Sequence, residues 1–361
     1  MIYITYADLF HTSYFGITKK IMSQIKIFQQ SWKRVYYTTR KGKMIYLMEG
    51  NRVIDKELAV TSAMCNKSID VWLDKYKIQR TYIRYDFADR SFMNFLESQK
   101  NKNIKSVLEI PTYPYDGEIT NERIRIEDEY YRKQLYRFIK CAATNTEAEN
   151  IWGISCIKLL NGVDMDKCPL HMKKKIDKKI VLISVGSMAI WHGYERILEG
   201  IYNYYADGNQ EYDIIFKIVG DGPEKGKYCL LTEEYGLQSR VEFCGMLEGE
   251  GLNRQYEQAD IAVSSLGLYK TGIHSVTPIK GAEYCARGIP FVCGYHDMRF
   301  PEDAEYIMKV SNNSEPVDMR GIIDFYENIV LQKNLNRRMR DYATEHFTWE
   351  KMMAPIIEYL K

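Results

Sequence analysis

Two hydrophobic patterns recur along this chain: short unbroken apolar runs, and longer stretches in which apolar residues return every three or four positions. The first run, Ile2 to Tyr6, predicts a strand. After a polar and aromatic loop through Phe15 and Gly16, a helix is expected with Ile17, Ile21, Ile25 and Phe28 on one face and Lys19, Lys20 and Lys26 pointing elsewhere. Strands are predicted at 34–38, 43–48, 80–84 and 106–109, the last stopped by Pro111. A charged, tyrosine-bearing helical stretch covers 121–138, followed by a strand at 139–144 and a short helix starting near Thr146.

The second half alternates more regularly. Strands at 180–185, 214–219, 241–244, 261–264 and 290–293 take turns with helices at 194–205, 225–235, 252–258 and 280–287. Such alternation implies a parallel sheet covered on both faces, with ligands beyond the carboxyl ends of its strands. Three helical segments close the chain, at 320–331, 335–345 and 349–360. The turn-type Asn161-Gly162-Val163-Asp164 and a basic stretch with five lysines in 173–179 put an interdomain linker at about 165–177.

Length and composition narrow the class. With 361 residues, 45% hydrophobic and 27% charged, two globular domains are expected, 1–164 and 178–345. A net charge of +2 gives no global field for nucleic acid. The eight cysteines form no Cys-x-x-Cys pair and no His lies at metal-ligand spacing, so they read as reduced thiols of a cytoplasmic protein. The amino terminus lacks the basic flank and cleavage site of a signal peptide, and no run reaches the roughly 18 apolar residues of a membrane span. The lysines at 173–179, the basic first helix and Trp32-Lys33-Arg34 allow only a peripheral contact with the inner face of the cell membrane.

Four loops at predicted strand ends carry the candidate chemistry: Val185-Gly186-Ser187, Val219-Gly220-Asp221-Gly222-Pro223, Phe243-Cys244-Gly245, and Thr277-Pro278-Ile279-Lys280-Gly281-Ala282-Glu283-Tyr284. Small residues there let a ligand approach the backbone. Pro278 suits a helix start, whose free amides with Lys280 would face an anion. Glu283, one turn later, can accept hydrogen bonds from vicinal hydroxyls, or simply pair with Lys280 at i, i+3.

These segments resemble the group 1 (family 4) glycosyltransferases of bacterial polysaccharide type. Thr277 to Pro290 is similar to the family's Pro-x-Lys-x-x-Glu-Tyr-x-Ala-x-Gly-x-Pro, and Asn161-Gly162-Val163-Asp164, Val219 to Glu224, Val241 to Gly245 and Ala259 to Ser265 match further motifs in order. Phe347-Thr348-Trp349-Glu350 resembles the closing helix, which returns from the second domain onto the first. The resemblance implies the α/β GT-B fold, two Rossmann-like domains facing each other across a cleft. It implies transfer, with retention and without metal or other cofactor, from a nucleotide-diphosphate sugar, a UDP-sugar foremost, to a glycan or lipid-linked acceptor. His192, Lys280 and Glu283 then fall in catalytic positions. Gly16, Gly186, Ser187, Gly220, Asp221, Gly245, Met246, Ser275 and Thr277 fall on the donor side, and Glu109, Thr112, Tyr113 and Asp116 on the acceptor side.

Two departures stand out. The family pairs two glutamates with seven residues between them, and Ser275 occupies the first position. Its Gly-Arg-x(4)-Lys-Gly reads here as Gly186-Ser187-Met188-Ala189-Ile190-Trp191-His192-Gly193, leaving His192 in a basic slot. These departures keep open a second reading, a non-catalytic GT-B partner subunit. A nucleotide-sugar epimerase on the same fold fits the motifs less well.

Overall fold

The computed structural model describes all residues except 11–14, 116–118, 120, 173–177, 210 and 273. The chain divides into two units, Met1–Asn161 with Trp349–Lys361, and Gly162–Thr348.

The first unit runs β1 (Ile2–Ile4), α1 (Phe15–Ser31), β2 (Tyr36–Lys41), β3 (Met44–Glu49), β4 (Arg52–Leu58), α2 (Ser62–Lys75), β5 (Arg80–Arg84), α3 (Arg90–Asn101), β6 (Lys105–Ile110), α4 (Glu122–Arg132), β7 (Cys141–Thr144), β8 (Asn150–Ile151) and β9 (Ile154–Lys158). Its sheet has the order β4-β3-β2-β1-β5-β6-β7-β9-β8. The middle strands are parallel, while β2–β3–β4 and β8–β9 are antiparallel at the two edges. Side chains alternate across the strands, so the two faces carry separate cores. Ile2, Ile4, Ile83, Leu108 and Ala142 pack with Ile69, Trp72, Phe92 and Phe95 of α2 and α3. Tyr3, Tyr82, Val107 and Cys141 pack with Ile21, Ile25 and Phe28 of α1 and with Trp349, Met353, Ile356 and Leu360 of the chain's last helix.

The helix expected near Thr146 is replaced by the β8–β9 hairpin. Its two-residue turn, Trp152-Gly153, has φ of 51° and 81°, the left-handed pair a tight hairpin needs, and Asn150 Oδ1 accepts Gly153 N–H at 3.0 Å. Lys20 is buried rather than turned to solvent, so the basic first helix offers one charge fewer to a membrane. Residues 173–177 of the basic stretch lie outside the described residues, and Lys178 pairs with Glu211 at 2.7 Å. Among the described residues no helix is long and apolar enough to cross a membrane.

The second unit runs β10 (Lys179–Val185), α5 (Glu195–Ala206), β11 (Asp213–Val219), α6 (Lys225–Glu234), β12 (Val241–Gly245), α7 (Gly249–Gln258), β13 (Ile261–Val263), α8 (Ile279–Arg287), β14 (Phe291–Cys293), β15 (Ile307–Lys309), α9 (Met319–Val330) and α10 (Leu335–His346); the last helix, α11 (Trp349–Leu360), belongs to the first unit. All six strands are parallel, in the order β12-β11-β10-β13-β14-β15. Counted within the unit this is 3-2-1-4-5-6, the order of dinucleotide-binding sheets, and the strand order reverses between β10 and β13. β10, β11, β13 and β14 are almost wholly buried, which is why they read as largely apolar runs, whereas β12 and β15 are partly exposed. At the unit's boundary Val163 N–H donates to Phe347 O at 2.7 Å and Val163 bridges Thr348.

Candidate active site

The loops after β10, β11 and β12 are tied to one another through the backbone. Gly186 N–H donates to Val219 O at 2.9 Å, Gly220 N–H to Gly245 O at 2.7 Å, and Met188 N–H to Asp221 O at 2.9 Å. Gly186 and Gly220 have φ of 143° and 136°. A Cβ on Gly220 would collide with Gly186 O, and one on Gly186 would stand 2.8 Å from Lys280 Cε. Both positions therefore require glycine, and the result is bare backbone at the carboxyl end of β10 with the Lys280 side chain lying across it.

Lys280 stands in the first turn of α8. Pro278 occupies the N-cap position of that helix and has no side-chain acceptor to offer, so it makes no capping bond to the first amides of α8. Arg299, paired with Asp297 at 2.6 Å, donates to Pro278 O at 2.5 Å and fixes the helix start. Lys280 Nζ donates to Tyr194 OH at 3.1 Å. Burial lowers its pKa to about 7, against the pull of Glu283, which favours the charged form. Glu283 is half-buried one turn further along the same helix.

His192 is buried in the 3-10 turn Ile190–His192, its ring stacked on Tyr194 at 5.4 Å and its Nδ1 accepting the Ala189 N–H at 3.1 Å. Burial, and then the charge of Lys280, push its pKa down to about 2. His192 is thus uncharged at neutral pH, and an accepting Nδ1 leaves the ring proton on Nε2. The family's basic slot here holds a neutral hydrogen-bonding ring, so the positive charge at this strand end comes from Lys280 and the helix start.

The remaining donor-side positions divide. Ser187 and Met246 are exposed beside Gly186 and Gly245. Asp221 is engaged by its own loop, accepting Gly222 N–H at 2.8 Å and pairing with Lys225 at 3.0 Å. Ser275 is exposed and bridges His296, while Thr277 is buried just before α8. Gly16 lies in the first unit, in the opening turn of α1, with nothing within 4 Å of where its Cβ would be.

In the first unit Glu109 is enclosed. Its Oε1 meets Lys20 Nζ at 3.0 Å and Arg84 Nη1 at 2.8 Å, and its Oε2 accepts from Tyr3 OH at 3.2 Å. Burial would raise the carboxyl pKa, but the two cations outweigh it and hold it at about 2. Glu109 is therefore an interior ion-pair partner and does not face an acceptor. Thr112 and Tyr113 are exposed on the loop after β6, Tyr113 edge-on to Trp152 at 6.3 Å; Asp116 lies outside the described residues. Among the described residues no group of three or more His, Cys, Asp or Glu converges. Tyr194 and Ser184, which stand behind Lys280, were not legible in the sequence: one reads as a helix aromatic and the other as a polar interruption of a strand.

Comparison with known proteins agrees with this geometry. Residues 169–305 match the family described as Glycosyl transferases group 1. No curated protein matches the chain. Among solved structures, Anabaena HepE in complex with UDP has a TM-score of 0.66 at 11% identity, covering 99% of this chain and 98% of that one. Sucrose-phosphate synthase from Thermosynechococcus elongatus reaches 0.63 at 13% identity over 99% and 97%, and the lipopolysaccharide outer core galactosyltransferase WaaB reaches 0.57 at 13% over 99% and 98%. Residues 169–305 thus form a domain of the group 1 glycosyltransferase type, and the chain shares the GT-B fold along its length with these proteins.

Proposed function

We propose that the protein transfers a sugar, with retention, from a nucleotide-diphosphate sugar to a glycan or lipid-linked acceptor in the synthesis of a cell-surface polysaccharide, and that the donor is a UDP-sugar. The observation that carries this reading is Lys280 lying across bare Gly186 backbone beside the start of α8, at the strand-order reversal of a dinucleotide-type sheet. When the glycosidic bond to the nucleotide breaks, negative charge builds on the departing diphosphate. Lys280 and the first α8 amides face that charge without rearrangement, and losing one such donor typically costs about 3 kcal/mol. Glu283, one turn on, is suited to the ribose hydroxyls. A diphosphate beside Lys280 favours its charged form, so binding draws a proton onto an amine whose pKa is lowered to about 7 in the free protein. The neighbours solved with UDP and UDP-glucose favour uridine as the base.

In this reading no resident metal or cofactor takes part, and the protein works in the cytoplasm, with any membrane contact peripheral. The test is a panel of nucleotide sugars followed by thermal shift and donor hydrolysis, with and without EDTA. A UDP-sugar at 100 times its Kd is expected to stabilise the protein by about 2.7 kcal/mol. Slow hydrolysis unaffected by EDTA is also expected, with the released or transferred sugar keeping its anomeric configuration by NMR. A well-folded preparation that shows neither a shift nor hydrolysis with any nucleotide sugar would favour the partner-subunit reading.

A further inference from the structure

Behind Lys280 runs a line of hydroxyls that donor binding alone does not call for. Tyr194 stands just before α5 with its ring fully buried, stacked on His192 and edge-on to Phe216 at 5.7 Å. Its phenol oxygen receives Lys280 Nζ at 3.1 Å and lies 2.6 Å from Ser184 Oγ, which lies 2.7 Å from the carbonyl of Val263. The same carbonyl accepts Tyr284 OH at 3.2 Å.

Ser184 Oγ stands within donating distance of both the phenol oxygen and Val263 O, so the Tyr194 oxygen is held by Ser184 from the strand side and by Lys280 from the helix side. Burial keeps the phenol protonated and therefore neutral, and a lone pair of its oxygen accepts the Lys280 N–H.

A neutral acceptor in that place has a particular consequence. A four-carbon ammonium side chain has many rotamers, and the carboxylate of Glu283 attracts it from the same helix. A carboxylate anchor would hold Lys280 by cancelling its charge. The phenol holds it while leaving the charge for an incoming anion, and the missing Cβ of Gly186 gives the stem its path.

We propose that Tyr194 is a positioning residue: steadied by Ser184, its phenol holds Lys280 Nζ at the end of β10 so that the remaining N–H donors meet a diphosphate oxygen. This rests on the nucleotide-sugar reading above.

The test is a double-mutant cycle by calorimetry, with UDP and uridine as probes, on the full chain, Tyr194→Phe, Lys280→Ala and the double variant. Tyr194→Phe is expected to weaken UDP roughly five- to tenfold, to leave uridine unchanged, and to add nothing once Lys280 is alanine. The charged and titratable groups facing Lys280 are Glu283 on its own helix, His192 on the turn after β10 and Tyr194 itself. Since the phenol's lone pair favours the ammonium form, the pH above which UDP affinity falls should move down in Tyr194→Phe, a change that mere loosening of the core would not give. Ser184→Ala, which leaves the phenol in place but without its strand-side partner, is expected to weaken UDP about twofold, again only when Lys280 is present. Equal losses for UDP and uridine, or losses that add in the double variant, overturn the inference and leave the donor reading standing. Absence of UDP binding by the unaltered protein removes both.

Discussion

The two units place charged groups at the same point of their sheets and treat them in opposite ways. In the first, Arg84 and Glu109 stand at the carboxyl ends of β5 and β6 and Lys20 reaches them from α1; two cations and one carboxylate close on each other within 3.0 Å. In the second, Lys280 reaches the carboxyl end of β10 and finds a phenol, a neutral imidazole and bare glycine backbone. The first arrangement completes its electrostatics internally and acts as structure. The second keeps a cation whose charge is costly until an anion arrives. Carboxyl-end position in an α/β sheet therefore does not by itself mark a binding residue; what distinguishes Lys280 is that the group it donates to, the Tyr194 phenol, is uncharged.

The largest expected effect breaks the comparison on the structural side. Glu109→Ala leaves Lys20 and Arg84 buried without their counter-charge, and should destabilise the first unit by about 3–5 kcal/mol. Denaturant unfolding read by hydrogen exchange in each unit checks this. The effect should fall on β1, β5, β6 and α1, with UDP affinity unchanged wherever the first unit remains folded. A stability loss under about 1 kcal/mol would mean that the cluster is not the closed ion pair described here.

Acid should reach the same cluster by titration. The Glu109 carboxyl is held at about 2, below its ordinary 4.5. The unfolded chain therefore takes up a proton first as pH falls, and the first unit loses stability between about 4.5 and 2. The Lys280 window lies at the other end. With a folded value of about 7 against an ordinary 10.5, the unfolded chain keeps the proton that the folded amine has shed, so this group adds stability as pH rises from about 7 towards 10.5. Unfolding curves of unaltered protein and Lys280→Ala across both ranges should diverge only in the upper one.

Lys280→Ala sharpens the contrast further, since the same change that relieves a half-buried cation removes the anion's partner. Stability near neutral pH should stay level or rise, while UDP affinity falls about tenfold to a hundredfold and uridine affinity holds. If UDP and uridine weaken together, Lys280 supports the pocket and does not meet phosphate.

How much of this was legible in the sequence also differs between the units. Four of the second unit's strands, β10, β11, β13 and β14, are almost wholly buried and read as largely apolar runs, and β10, β11, β13 and α8 were predicted to within a residue of their ends. In the first unit β4 is an exposed edge strand, Arg52–Leu58, with three charged residues among its last four positions, and no alternation betrays it. The β8–β9 turn uses Trp152 at positive φ, where sequence rules look for Asn or Asp before Gly. Of the candidate site, Gly186 and Gly220 were readable because backbone geometry leaves glycine no substitute, and Lys280 because it follows Pro278 at a helix start. The fates of Glu109 and His192 were not, since both are decided by the tertiary fold: Lys20 and Arg84 for one, burial and then Lys280 for the other. Tyr194 gave no signal, because an aromatic at a helix start is ordinary core material.

The smallest expected effect concerns Gly16, the first unit's one residue on the donor side of the reading. Nothing in the fold asks for glycine there: it lies in the opening turn of α1, exposed, with open space around the would-be Cβ and without the left-handed backbone of Gly186. Alanine at this position should therefore leave stability unchanged or raise it, by no more than about 1 kcal/mol. If the donor's approach needs the bare backbone, transfer should fall several-fold in Gly16→Ala, with a further fall in Gly16→Trp, while UDP affinity, carried by Lys280 and Glu283 in the second unit, holds within a few-fold. Measured together, unfolding, UDP calorimetry and transfer rate separate the cases. A variant as active as the unaltered protein would make Gly16 an ordinary helix-opening residue and confine the donor's contacts, as far as the sequence foresaw them, to the second unit.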